Sequence, residues 1–172
     1  MRIGIDTLQL SNNSFSGIEN YIRNLLSELN KLQPGVELIE YKGPLIINPS
    51  FTRHFILPFV MNSQHLDLVH FPDHILPLLP IGAKKVITVH DLAFIRYPNY
   101  YNTAKRWHKR LLTPFSLKRA DKIIAVSEYT KNELIQIYHI SDDKITVVSN
   151  GVSSLFKPMD LDRNGRERLL RK

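Results

Sequence analysis

Apolar positions follow two rhythms along the chain. Ile18, Tyr21, Ile22, Leu25, Leu26, Leu29 and Leu32 recur three and four residues apart, the spacing of one face of an amphipathic helix. Ser16 stands before that run and Glu19 three residues later, the arrangement of a capping box. Pro34-Gly35 ends it, because proline cannot continue a helix and glycine supplies the turn. Short β-rich runs at 2–6, 36–41, 66–71, 85–90, 121–126 and 144–148 predict strands. Between the later strands, 101–118 and the stretch after Ser127 to about Tyr138 read as helices, with Ser127 as a cap. The segment 51–61 is mostly apolar and reads as a helix broken near Pro58, and Pro77 and Pro80 make their stretch a loop. Near-continuously apolar strands separated by helices predict an α/β domain with a Rossmann-like parallel sheet and helices on both faces. The rhythm ends at Asn150-Gly151, so 1–152 reads as one domain and 153–172 as a linker and the start of another.

Composition narrows the function classes. The 172 residues amount to about one domain. At 43% hydrophobic and 23% charged residues the chain has material for a core, which excludes global disorder. It has no cysteine, which excludes disulfide scaffolds, thiolate metal sites and cysteine nucleophiles. Its longest apolar run, 55–61, is far short of the roughly 20 residues of a membrane span. The opening MRIGID has no apolar signal region, so a cytoplasmic chain is expected. The net charge is +7, and 92–120 alone holds seven basic residues (Arg96, Lys105, Arg106, Lys109, Arg110, Lys118, Arg119) and no acid. Such a stretch points to an anionic partner or to a solvated helix face. Tyr100, Tyr101 and Trp107 among those cations suit a membrane interface. No nucleic-acid motif accompanies the charge, so no nucleic-acid partner is expected.

In an open parallel sheet, ligands bind at the carboxyl ends of the strands. That rule selects the loop from Asp6 to Gly17, the loop from His70 to His74, the His90-Asp91 pair and Ser127. Gly17 at a helix start lets a phosphate approach backbone N–H groups, though a lone glycine in a cap is also merely structural. The three-glycine dinucleotide fingerprint is missing, so no dinucleotide cofactor is expected, and a Walker loop is also absent. His90 ends a buried strand, where it can exchange a proton or simply satisfy loop backbone. His70 and His74 are four apart, but Pro72 between them argues against a metal-binding helix face, and no metal is expected. A hydrolytic triad of Ser127, His90 and Asp91 is rejected, because no nucleophile elbow surrounds Ser127.

Four segments carry a family resemblance: SGIENYIRNLL, DLVHFPDH, VITVHDLAFIRYPNYY and ADKIIAVSEYTKNELIQIYHISDDKITVVSNGV. In that order they resemble the N-terminal half of family 4 glycosyltransferases, retaining enzymes of the GT-B fold, over residues 1 to about 157. The resemblance implies an acceptor-binding domain facing a donor-binding domain, with a nucleotide sugar and a glycan or lipid-linked acceptor as substrates and no bound metal. It implies that Gly17 approaches the donor diphosphate, although Ser16 stands where the family often has a second glycine. It implies that His90 contacts the transferred sugar, that His70, Asp73 and His74 line the acceptor side, and that Ser127 lies at the cleft edge. The basic segment 96–119 would then meet an anionic membrane surface at its inner face, in polysaccharide biosynthesis. Because the donor half lies beyond Lys172, the chain alone is expected to be inactive. Half of a GT-B sugar-nucleotide 2-epimerase, and a non-catalytic module pairing with a separate donor domain, remain open alternatives.

Overall fold

In the computed structural model the described residues are 1–10, 16–32, 35–42 and 48–152. The expectations for 153–172 and for Pro34 therefore lie outside the described residues. Six strands form one parallel sheet: β1 (Arg2–Asp6), β2 (Glu37–Tyr41), β3 (Leu68–Phe71), β4 (Lys84–Val89), β5 (Lys122–Ala125) and β6 (Ile145–Val147). Their order across the sheet is β2-β1-β3-β4-β5-β6. The chain moves one way from β1 and the other way from β3, so the topology reverses between two neighbouring strands. That reversal leaves a crevice at their carboxyl ends, where open α/β sheets bind ligands.

The register sorts the core into two faces. Ile3 and Ile5 of β1 share a face with Leu38, and helix α1 (Gly17–Leu32) covers them with Ile22 and Leu26. Val69, Phe71, Ile87, Val89, Ile123 and Ala125 point to the opposite face. Helices α3 (Leu57–Ser63), α4 (Ala93–Arg96), α5 (Thr103–Arg119) and α6 (Glu128–Tyr138) contribute Leu57, Met61, Phe94, Leu117 and Leu134 there. Phe71, Phe94, Leu117, Ile123 and Leu134 are all fully excluded from solvent, and each large apolar side chain so buried stabilises the fold by about 1.5–3 kcal/mol.

Local signals explain most boundaries. Ser16 Oγ accepts the Glu19 N–H at 3.1 Å and so starts α1. Gly35 takes a φ of +108°, as the turn after α1 requires. Ser127 Oγ accepts the Thr130 N–H at 3.1 Å and starts α6. Asn102, not singled out from the sequence, caps α5 through the Ala104 N–H at 2.9 Å.

The broken helix takes a specific form. A short helix α2 (Pro49–Phe51) runs into a π-helical turn over Thr52–Ile56 and then into α3. Pro58 lies in the first turn of α3 and lacks the N–H that would close an ordinary turn, so the preceding turn widens.

The connection from β3 to β4 contains no helix and is held by α5. Arg119 donates through Nη1 to the carbonyls of Pro77 (2.7 Å) and Leu78 (3.2 Å), and through Nη2 to that of Leu79 (3.2 Å). Ser116 Oγ accepts the Leu76 N–H at 2.9 Å. Arg96 pairs with the buried Glu133 at 2.7 Å. Two of the seven cations of the basic segment therefore serve the fold.

Gly4 and Gly17 differ in how tightly they are packed. A Cβ on Gly4 would lie 2.8 Å from both Leu66 Cδ1 and Tyr41 Cε2, whereas one on Gly17 would meet nothing within 4 Å. Gly4→Ala is expected to cost about 1–3 kcal/mol in urea unfolding, and Gly17→Ala to leave the midpoint unchanged. Equal effects of the two substitutions would contradict this packing.

Candidate functional site

The carboxyl end of β1 delivers Asp6 into the crevice, 2% exposed. Its Oδ1 accepts the Leu8 N–H at 2.9 Å, and its Oδ2 lies 2.9 Å from Arg53 Nε. Arg53 comes from the π-helical turn, and its Nη1 lies 3.6 Å from Asp73 Oδ2. Asp73, just past β3, accepts the His74 N–H at 2.7 Å, lies 2.9 Å from His74 Nδ1 and accepts from Gln9 Nε2 at 2.9 Å. The His74 ring stacks on Phe94 with centroids 5.5 Å apart. A buried cation thus ties together the ends of the two strands at the reversal.

One strand over, a hydroxyl network joins α1 to the sheet. His70 Nε2 lies 2.8 Å from Thr88 Oγ1, and the Tyr21 hydroxyl lies 3.3 Å from the same oxygen. The Tyr21 ring meets the His90 ring edge to face, with centroids 4.8 Å apart. His90 Nε2 lies 3.1 Å from the carbonyl of Pro72. Thr130 Oγ1 donates to the carbonyl of His90 at 3.3 Å, and Ser127 Oγ lies 3.1 Å from that same Thr130 hydroxyl. Ser127 caps α6 and braces the end of β4 through Thr130.

Two depressions flank this rim. One, of about 210 Å³, is lined by residues including Gln9, Ser50, Arg53, His54, Ile75 and His108. The other, of about 440 Å³, is lined by Ala93, Tyr97, Tyr100 and Tyr101, just beyond His90. Gly17 is exposed at the start of α1, one helical turn before Tyr21. His90 is half-buried. His70, Asp73 and His74 are buried at 7%, 8% and 3% exposure; Asp73 holds Gln9 and Arg53 of the smaller depression, whereas His70 lies in the Tyr21–Thr88 network. Asp6, Gln9, Tyr21, Arg53, His54 and His108 were not singled out from the sequence as site residues.

A family model described as Glycosyltransferase Family 4 matches residues 15–154, most of the chain. The chain belongs to glycosyltransferase family 4. Over 86 residues, 50% of the chain, it is 31% identical to the O-antigen chain mannosyltransferase RfbU of Salmonella typhimurium, and that match covers 23% of the relative. The crystal structure of a glycosyltransferase from Rickettsia africae ESF-5 aligns with 99% of this chain and 48% of its own, at 20% identity and a TM-score of 0.44. The chain thus spans only part of the length of the relatives it matches.

The electrostatics of this family 4 domain follow from burial. Burial tends to raise the Asp73 carboxyl, but His74, Arg53 and Lys109 outweigh it and hold Asp73 well below the usual carboxylate range. Burial lowers His90, partly opposed by its contact with the Pro72 carbonyl and by Asp73. Burial likewise lowers His54 and His108, whose rings lie 6.0 Å apart, and Arg53 adds to both shifts. His54, His90 and His108 are therefore held toward the neutral form beside an ionised Asp73 carboxylate.

His70 is pushed down to about 4 from 6.5, by burial first and by His90 second. Between those values the unfolded chain holds a proton that the folded chain does not. Its stability contribution is thus complete above pH 6.5 and is lost as the pH falls toward 4, by roughly 3 kcal/mol at most. The His54, His90 and His108 shifts have the same sign. His70→Gln is expected to flatten urea stability against pH in that window, and an unchanged slope would contradict this assignment.

Proposed function

We propose that this chain forms the acceptor-side wall of a retaining hexosyltransferase that moves a sugar from a nucleotide-sugar donor to a glycan or lipid-linked acceptor in polysaccharide assembly. Family membership supports glycosyl transfer, and the likeness to a mannosyltransferase makes mannose the first sugar to test. The observation that carries the reading is Tyr21: one turn after Gly17, it packs on His90 at 4.8 Å. The start of a 16-residue helix and the end of β4 therefore share one rim.

Each rim group has a chemical task in this reading. Departure of a nucleoside diphosphate leaves negative charge on its oxygens. Backbone N–H groups at the start of α1, aided by the helix dipole, favour that charge. Open space at the Gly17 Cα lets a phosphate come close. His90, kept largely neutral by burial, offers a hydrogen bond to a hydroxyl of the transferred sugar. The depression at Gln9, Arg53 and His108 lies on the acceptor side. Asp73 and His74 act as its buried support, while His70 steadies the Thr88 hydroxyl that meets Tyr21 and Ser127 braces His90 from behind.

The nucleotide and most of the diphosphate charge need a facing wall, which a donor-binding domain supplies. The 172-residue chain alone is expected to turn over no GDP-mannose or other nucleotide hexose. In the protein that joins this domain to its donor wall, His90→Ala is expected to lower kcat by about 10²–10³-fold with the thermal midpoint nearly unchanged. Wild-type kcat in that variant would overturn the role of His90. Turnover by the isolated chain would overturn the need for the second wall.

A further inference from the structure

No helix among the described residues is long and apolar enough to cross a membrane. Two of the helical segments nevertheless turn apolar side chains outward. In α5, the face bearing Thr113, Ser116, Leu117 and Ala120 is buried. The opposite face presents Trp107, Leu111 and Phe115, which are 52%, 67% and 43% exposed at i, i+4 and i+8. Along 49–63, Phe51, Phe55 and Phe59 repeat the spacing at 53%, 42% and 69% exposure. The Phe51 and Phe55 rings lie 5.1 Å apart on one side of that segment.

The two stripes sit on neighbouring helices. Phe55 lies beside His54, with ring centroids 6.4 Å apart, and His54 meets His108 of α5 at 6.0 Å. His108 follows Trp107 and precedes Leu111 by three residues, so the contact joins one stripe to the other. Cations flank the joined surface: Arg110 lies 5.7 Å over Trp107, Arg119 lies 4.7 Å over Phe115, and Lys118 is exposed one turn further on. Neither 49–63 nor 92–120 contains an acid.

We infer that the paired stripes Phe51/Phe55/Phe59 and Trp107/Leu111/Phe115 seat this domain on an anionic lipid bilayer, with Arg110 and Lys118 at the headgroup phosphates. Aromatic and leucine side chains on one face, rimmed by Arg110 and Lys118, which pair with no carboxylate among the described residues, match the plane between acyl chains and anionic headgroups. The long basic side chains reach upward while their apolar stems stay with the stripe. A second copy of the chain is a poorer occupant, because a two-fold contact would bring like-charged rims together. A nucleic acid has no hydrocarbon in which Leu111 and Phe59 would be buried. The depression lined by His54 and His108 adjoins this face, so a lipid-anchored acceptor would approach it from the bilayer. That last consequence rests on the transfer reading, whereas the seating itself does not.

Trp107 is the one tryptophan in the chain, so its fluorescence reports on this face alone. The 172-residue chain is titrated with vesicles of phosphatidylcholine and with vesicles also containing phosphatidylglycerol, and co-sedimentation is measured in parallel. The expected result is a blue shift of Trp107 and binding that favours the anionic vesicles. Leu111→Ser with Phe55→Ser should abolish both, with circular dichroism confirming the fold. Arg110→Gln with Lys118→Gln should weaken anionic binding by about fivefold per charge. Lys31→Gln with Lys42→Gln, an equal charge change away from this face, should not. Three results would each overturn the inference: no shift with either vesicle, equal weakening by the two charge pairs, or a lipid-free shift that grows with protein concentration, which assigns the face to a second copy. None of them bears on sugar transfer, which is read from turnover.

Discussion

The contact of Tyr21 with His90 and Thr88 is the constraint on which the site depends. It fixes α1 against the carboxyl end of β4, across β3, through a ring edge at 4.8 Å and a hydroxyl at 3.3 Å from Thr88 Oγ1. The helix start, where a backbone amide meets an anion best, thereby lies one turn from the tyrosine that packs on the histidine ending β4. His70 fills the space beneath and lies 2.8 Å from the same threonine oxygen. Its burial is why it stays neutral, and neutrality is what lets a buried imidazole sit among apolar side chains. The Asp6–Arg53–Asp73 cluster does the corresponding work at the reversal of the sheet. A guanidinium between two buried carboxylates holds the helical turn at 52–56 against the ends of two strands.

Much of this architecture was legible in the sequence, because the relevant signals are local. The apolar rhythm of α1, its Ser16 cap, the Ser127 cap of α6 and the six strand positions all follow from spacing and side-chain type. The parallel sheet followed from strands apolar on both faces. His90 and Gly17 stood out because the carboxyl ends of parallel strands are few. What escaped is long-range. Arg53 lies in a mostly apolar segment, and its partners are 47 and 20 residues away. Tyr21 reads from sequence as one more apolar position on a helix face, and its hydroxyl acquires meaning only when β4 is placed. His70 ends up inside β3 and Asp73 and His74 just past it, and only packing decides that Asp73 holds Gln9 and Arg53 while His70 turns to Thr88.

The basic segment shows how composition misleads until it is folded. Seven cations in one acid-free stretch look like a single patch. In the fold, Arg119 holds the helix-free connection between β3 and β4, and Arg96 neutralises the buried Glu133. Lys109 leans over Phe94 and Tyr101 near Asp73. Of the four others, Arg110 and Lys118 are exposed and stand beside apolar side chains, so the surface they rim is amphipathic.

The central claim is that the start of α1 and the end of β4 form one ligand-binding rim. Nuclear magnetic resonance on the isotopically labelled chain, titrated with GDP-mannose, tests it most directly. The account predicts that the Gly17 amide and the His90 ring shift together and saturate with a common Kd, while His139, at the far end of α6, stays still. Shifts of Gly17 and His90 that saturate at different concentrations, or movement of one without the other, would contradict it.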